Sequence, residues 1–221
     1  RPSVNALWSR HSAVLIGDYI LARSFSIGME SKQYDIVSYI TRRMIDLCEG
    51  ELMQSRQSEI LDMTRQVYFD IIYKKTATLI GTSCGAGAMS VGASDKDIEL
   101  MKAIGDCLGM AFQIKDDILD FAPEGTGKPR CGDIRERKIT LTLLAVMENS
   151  ADRNHIMALL SDVEKNPENV DILCNMVTQD GGLDEASRVM HDYVNRAVEL
   201  LSPLPDSPYK RSISDLAVYI E

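Results

Sequence analysis

The chain has 221 residues, with 24 Lys and Arg against 33 Asp and Glu, a formal charge of −9. Its 45% hydrophobic and 26% charged residues exclude a disordered or collagen-like chain and fit one large globular domain. No apolar run nears the roughly 18 residues of a membrane span, and the acidic balance argues against general nucleic-acid binding while leaving room for an anionic small molecule on a locally basic patch.

Proline is absent between Pro2 and Pro123, which leaves space for a succession of helices. Val4 to Phe25 carries Val4, Leu7, Trp8, Val14, Leu15 and Leu21 at helical steps. A second helix is marked by Ile36, Ile40, Met44 and Leu47. A third is expected over about Met63 to Met89, and a fourth over about Asp95 to Phe121, with Ser94 as N-cap and Asp95 and Asp97 in the first turn. Ala122 to Gly132, with three Gly and two Pro, reads as a loop. Helical pattern resumes at Arg137 to Met147 and at Ala151 to Leu160. Pro167 opens a further helix, Gly181-Gly182 ends it, Leu183 to Leu201 follows, and a short helix closes the chain. The expected fold class is all-α: one large helical bundle of about eight helices with room for a site between them. The five cysteines form no Cys-x-x-Cys pair, so they are expected to be reduced and mostly buried, in a cytoplasmic setting. The 11 Met are expected to fill core.

The stretch Gln113-Ile114-Lys115-Asp116-Asp117-Ile118-Leu119-Asp120 is the most informative. Residues four apart share a helix face, so Asp116 and Asp120 should project together, with Gln113 one turn earlier and Asp117 at the edge. Oxygen ligands with no His or Cys nearby suit Mg²⁺, which pairs one or two carboxylates with substrate phosphates. A solvated acidic helix end is the other account of the same pattern. Downstream, Lys128, Arg130, Arg135, Arg137 and Lys138 fall within eleven residues. Carboxylates, a metal and converging cations together describe a diphosphate site; a solvated charged loop would also fit the basic run alone. Lys74-Lys75-Thr76 lies inside the third helix, among Ile71, Ile72, Leu79 and Ile80. One of these lysines either snorkels to water or points into a polar cavity. The small residues Gly81, Ser83, Gly85 to Ala88, Gly105 and Gly109 suggest close helix packing.

Taken together, these motifs resemble the trans-isoprenyl diphosphate synthases, the polyprenyl synthetase family. Gln113 to Asp120 resembles the second aspartate-rich motif of that family. Gly127-Lys128-Pro129, Gly132-Asp133-Ile134 and Lys138-Ile139-Thr140-Leu141 resemble the segment after it, and Lys75-Thr76 its Lys-Thr pair. Gly17 to Ala22 and Glu49-Gly50-Glu51-Leu52 with Gln54 resemble two further segments in the right order. The resemblance implies an all-α bundle with a central cavity, usually a homodimer. The implied reaction is a Mg²⁺-dependent head-to-tail (1'-4) condensation of isopentenyl diphosphate with an allylic diphosphate. By position, Asp116, Asp117 and Asp120 would hold metal. Lys75, Lys128 and Lys138 would contact the diphosphate, with Thr76 and Gln113 near the reacting carbons. The first aspartate-rich motif of the family has no counterpart here. Residues 1–221 therefore resemble the C-terminal two-thirds of one such domain, expected to be inactive alone. Arg137 stands where the family usually has Gly, and Thr142 where it usually has Pro. The form of Gly17 to Ala22 is nearer the medium- and long-chain members. A non-catalytic partner subunit of a heteromeric synthase, a class I terpene cyclase and an acidic helical interaction module are the alternatives.

Overall fold

The computed structural model describes residues 4–122, 130–150 and 152–220. Among the described residues every regular element is helical. The chain divides into two compact units, residues 1–42 and 43–221.

In the first unit, the stretch expected as one helix is two, α1 (Val4–Leu7) and α2 (Arg10–Glu30). Ser9 separates them, its hydroxyl accepting the Ser12 N–H at 3.1 Å, so an N-cap interrupts an otherwise continuous apolar pattern. α2 buries no residue. Lys32, left-handed at φ 58°, turns the chain into α3 (Tyr34–Ile60), which continues beyond residue 42.

The second unit holds the core. α4 (Arg65–Ile72) starts at Thr64, whose hydroxyl accepts the Val67 N–H at 3.3 Å. The single helix expected over Met63 to Met89 is instead α4, a π-turn (Tyr73–Ala77) and α5 (Thr78–Ser90). The Thr78 N–H reaches back five residues to the Tyr73 carbonyl, which inserts one residue into the helix. α3 crosses at this point. A Cβ on Gly50 would lie 2.7 Å from the Lys75 nitrogen, so only glycine allows the approach. α6 (Asp95–Leu119) is capped by Ser94, as expected. It packs on the π-turn so closely that a Cβ on Gly109 would fall 2.5 Å from the Ala77 Cα.

Beyond α6 come α7 (Gly132–Arg135), α8 (Leu141–Asn149), α9 (Arg153–Ser161), α10 (Glu168–Gln179), α11 (Gly182–Leu201) and α12 (Pro208–Ile220). The helix expected from Arg137 begins only at Leu141, because Arg137 takes a left-handed φ of 56° and Thr140 is extended. Twelve α-helices and one π-turn thus form among the described residues, against about eight expected, since short caps and turns divide the long patterns. Residues Leu141 to Met147 of α8 are all buried, and Ile114, Leu160, Leu173 and Val177 pack in the same core. Arg65 ties three elements together, donating Nε to Glu148 at 2.6 Å and Nη1 to Glu185 at 2.7 Å.

Two expectations about cysteine are corrected. Cys131 and Cys174 are paired, with Cα atoms 6.3 Å apart, because α7 packs against α10. Cys48, one of the three free cysteines, is exposed. Among the described residues no helix is long and apolar enough to cross a membrane.

Candidate active site

One face of α6 carries the polar side chains. Gln113 and Asp117 stand one turn apart, and the Gln113 amide donates to Asp117 Oδ1 at 3.0 Å. The Tyr68 hydroxyl of α4 donates to Asp117 Oδ2 at 2.6 Å. The Thr76 hydroxyl of the π-turn donates to Gln113 Oε1 at 2.7 Å. A directed chain therefore runs from Thr76 through Gln113 to Asp117, with Tyr68 closing the other carboxylate oxygen. Asp117 is only 4% exposed. Burial pushes its carboxyl up to about 7; the Tyr68 and Gln113 hydrogen bonds oppose the rise, while Asp133 and Asp116 add to it.

These groups face a cavity of about 90 Å³ whose wall includes Lys75, Gln113, Asp116, Asp117, Asp133 and Lys138. Lys75 Nζ donates to Gln54 Oε1 of α3 at 2.6 Å and lies 3.6 Å from Glu51. Lys138 Nζ lies 2.5 Å from Glu136 and 3.6 Å from Asp133. Burial disfavours the Lys138 charge, but these carboxylates outweigh it and raise its pKa, so it stays protonated. Burial, then Asp120, pushes Asp133 upward. A second cavity, about 560 Å³ and lined mainly by Ile80, Leu108, Phe112, Leu119 and Ile220, also has Asp116 in its wall. Asp116 thus borders both a polar and an apolar space.

The structure redistributes the expected site residues. Lys75, Gln113, Asp116, Asp117 and Lys138 share the polar cavity, and Thr76 reaches it through Gln113. Asp120 does not line it. Its oxygens accept the N–H groups of Gly132 and Asp133, each at 3.0 Å, because the start of α7 presents unpaired donors beside the end of α6. Lys128 lies outside the described residues. The expected basic patch also disperses: Arg130 donates to the Phe121 carbonyl at 3.2 Å, Arg135 to the Arg130 carbonyl at 3.4 Å, and Arg137 sits 3.8 Å from Glu164. Tyr68 and Asp133 were not expected at the site. Tyr68 looks like core in an apolar helix, and Asp133 sits in a charged run where either sign could have faced inward.

Among the described residues no three His, Cys, Asp or Glu side chains are grouped closely enough to cage a metal alone. The charges of Asp133 and Asp116 nonetheless raise the proton affinity of Asp117, and those of Asp120 and Asp116 raise that of Asp133, and a divalent cation would relieve that crowding. Hard oxygen donors beside lysines fit a Mg²⁺ that arrives with phosphate oxygens and needs only one or two carboxylates.

The polyprenyl synthetase family profile matches residues 1–177. The chain is 31% identical to the short chain isoprenyl diphosphate synthase of Methanothermobacter thermautotrophicus, covering 99% of this chain and 69% of that protein. It is 29% identical to the heptaprenyl diphosphate synthase component 2 of Bacillus subtilis, covering 100% of this chain and 63% of that one. The heptaprenyl diphosphate synthase structure from Staphylococcus aureus superposes with a TM-score of 0.91 at 28% identity, over 100% of this chain and 70% of that one. A polyprenyl synthase from Caulobacter crescentus, complexed with calcium and isoprenyl diphosphate, superposes at 0.89 with 29% identity, over 98% and 67%. Sequence profile, relatives and fold agree with the geometry of the two cavities, and the chain belongs to the polyprenyl synthetase family.

Proposed function

We propose that the protein carrying this chain elongates an allylic diphosphate with isopentenyl diphosphate in a Mg²⁺-dependent head-to-tail condensation. The observation that carries this reading is Asp116, which borders the lysine-lined polar cavity on one side and the apolar cavity on the other. A prenyl diphosphate has that same division, a charged head joined to a hydrocarbon tail. Bound Mg²⁺ would neutralise the departing diphosphate, held by Asp116 with Asp117 or Asp133. Lys75 and Lys138 supply fixed positive charge to the same phosphate oxygens. For Lys75 this requires release from Gln54 and Glu51, so diphosphate competes with α3 for the ammonium. Gln113, held by Thr76, fixes the orientation of the buried Asp117 carboxylate. The apolar wall from Leu108 to Ile220 excludes water from the reacting carbons.

The relatives matched are longer, and on this reading residues 1–221 are the C-terminal part of one catalytic domain. The decisive experiment incubates full-length protein with Mg²⁺, radiolabelled isopentenyl diphosphate and an allylic diphosphate, then identifies the products. Turnover by the full-length protein, a loss of about 10²-fold or more in Asp116→Asn, and no turnover by residues 1–221 alone are expected. Cyclised product formed without isopentenyl diphosphate would replace the reading with a terpene cyclase. A homodimer is the proposed assembly. The Bacillus relative is described as a component, which supports a second reading in which this protein needs a different partner chain. Full activity of the purified protein by itself would exclude that reading.

A further inference from the structure

A second polar cluster lies on the same seam but lines neither cavity. Lys102 of α6 is 7% exposed. Its Nζ donates to Asp106 Oδ2 at 2.6 Å and to the Tyr73 hydroxyl at 3.1 Å, and it stands 5.6 Å from the Tyr73 ring centroid. The Tyr73 hydroxyl is also 3.4 Å from Asp106 Oδ2. Burying an ammonium and a carboxylate is a poor way to stabilise a core, since apolar side chains of similar volume commonly do as well or better. What the cluster adds is direction. Tyr73 is the first residue of the π-turn, and its carbonyl accepts the five-residue hydrogen bond from Thr78. Thr76, near the other end of the turn, is fastened to Gln113. Both fastenings end on α6, so the turn is bracketed by two polar contacts to one helix. Asp106 is itself pinned. Its Oδ1 has no hydrogen-bond partner among the described residues and rests against Gly81, where any added Cβ would collide with it. The carboxylate is therefore held through Oδ2 by Lys102 and Tyr73. Arg43 acts on it only through longer-range charge.

We infer that Lys102, Asp106 and Tyr73 are positioning residues that fix the register of the π-turn and so direct Lys75 and Thr76 toward the polar cavity. Relaxation of the turn to α-helical register would move these two side chains by one residue, about 100° around the helix axis. The cluster touches neither cavity and acts through the turn alone. Its effect on turnover rests on the synthase activity proposed above, whereas its effect on the turn does not.

The test uses full-length protein and the variants Lys102→Met, Asp106→Asn, Tyr73→Phe and Lys102→Arg. Lys102→Met and Asp106→Asn are expected to lower kcat at least about tenfold, Tyr73→Phe about threefold, and Lys102→Arg to retain most of it. In a crystal structure of Lys102→Met, the Thr78 to Tyr73 hydrogen bond should be lost and Lys75 displaced from Gln54. Lower melting temperatures with unchanged kcat, or an intact π-turn in Lys102→Met, would overturn the inference. Tyr73→Phe removes one oxygen and keeps the ring, so it decides the kinetic question if the charge variants do not fold. Should the wild-type protein show no turnover, the activity reading fails and the variant crystal structures decide the positioning role alone.

Discussion

Residues 141–147 of α8 and residues 73–77 of the π-turn show opposite solutions to the interior. The α8 stretch is regular and buried throughout, with Leu143, Leu144, Val146 and Met147 packed in the hydrophobic core. The π-turn is irregular and polar, and every polar side chain in it has a named partner: Tyr73 with Lys102, Lys74 with Glu49, Lys75 with Gln54 and Thr76 with Gln113. Apolar packing tolerates exchange among similar shapes, whereas fixed polar contacts depend on particular atoms. The first region stabilises the fold. The second spends regular hydrogen bonding to place a lysine and a hydroxyl.

Substitutions can separate these roles. Leu144→Ala should cost about 2–5 kcal/mol in chemical denaturation while leaving substrate KM unchanged, because the Leu144 side chain lines neither the polar nor the apolar cavity. A changed KM at full folding would show that α8 is not a passive wall. Gly50→Ala should give the reverse balance: about 1–3 kcal/mol of overpacking against the Lys75 backbone, with kcat lowered about tenfold or more. Equal effects of the two variants on stability and on kcat would dissolve the contrast between the regions. Tyr68→Phe should cost about 1–2 kcal/mol and raise the Asp117 pKa further above about 7, as read by carboxyl carbon NMR titration of metal-free protein. The smallest effect is at Glu185, whose carboxyl is held down to about 2 first by its Arg188 hydrogen bond and then by Arg65, against a smaller opposing effect of burial. Because the folded pKa is depressed, this stabilisation is present above the ordinary carboxylate value of 4.5 and lost as pH falls through about 2. Glu185→Gln should therefore cost about 1 kcal/mol at neutral pH, screening included, with the gap to wild type closing in the acid range.

The all-α class was legible because apolar spacing repeats over long stretches without proline, and the Ser94 cap was visible in residue type alone. Helix number was not. Ser9 and the π-turn interrupt patterns whose hydrophobic period continues across them, so periodicity joins what hydrogen bonding divides. At the site, the i, i+4 rule suggested Asp116 with Asp120; the structure instead couples Gln113 to Asp117, and Asp120 turns to the backbone donors of Gly132 and Asp133. A helical wheel locates a face but does not show which neighbour supplies donors to it. The same limit explains the basic run, where Lys138 enters the polar cavity and Arg130, Arg135 and Arg137 turn elsewhere. The disulfide escaped notice because a 43-residue separation without a paired motif carries no local signal.

Arg65 joins parts of the chain that are translated at different times. Its two carboxylate partners lie 83 and 120 residues further along the chain. A ribosome adding about 5–20 residues per second needs several seconds or more to deliver the second of them. Until then α4 emerges with its guanidinium in water and its apolar side without the α8 and α11 surfaces it will adjoin. α4 is therefore translated well before the two carboxylates that hold its first residue.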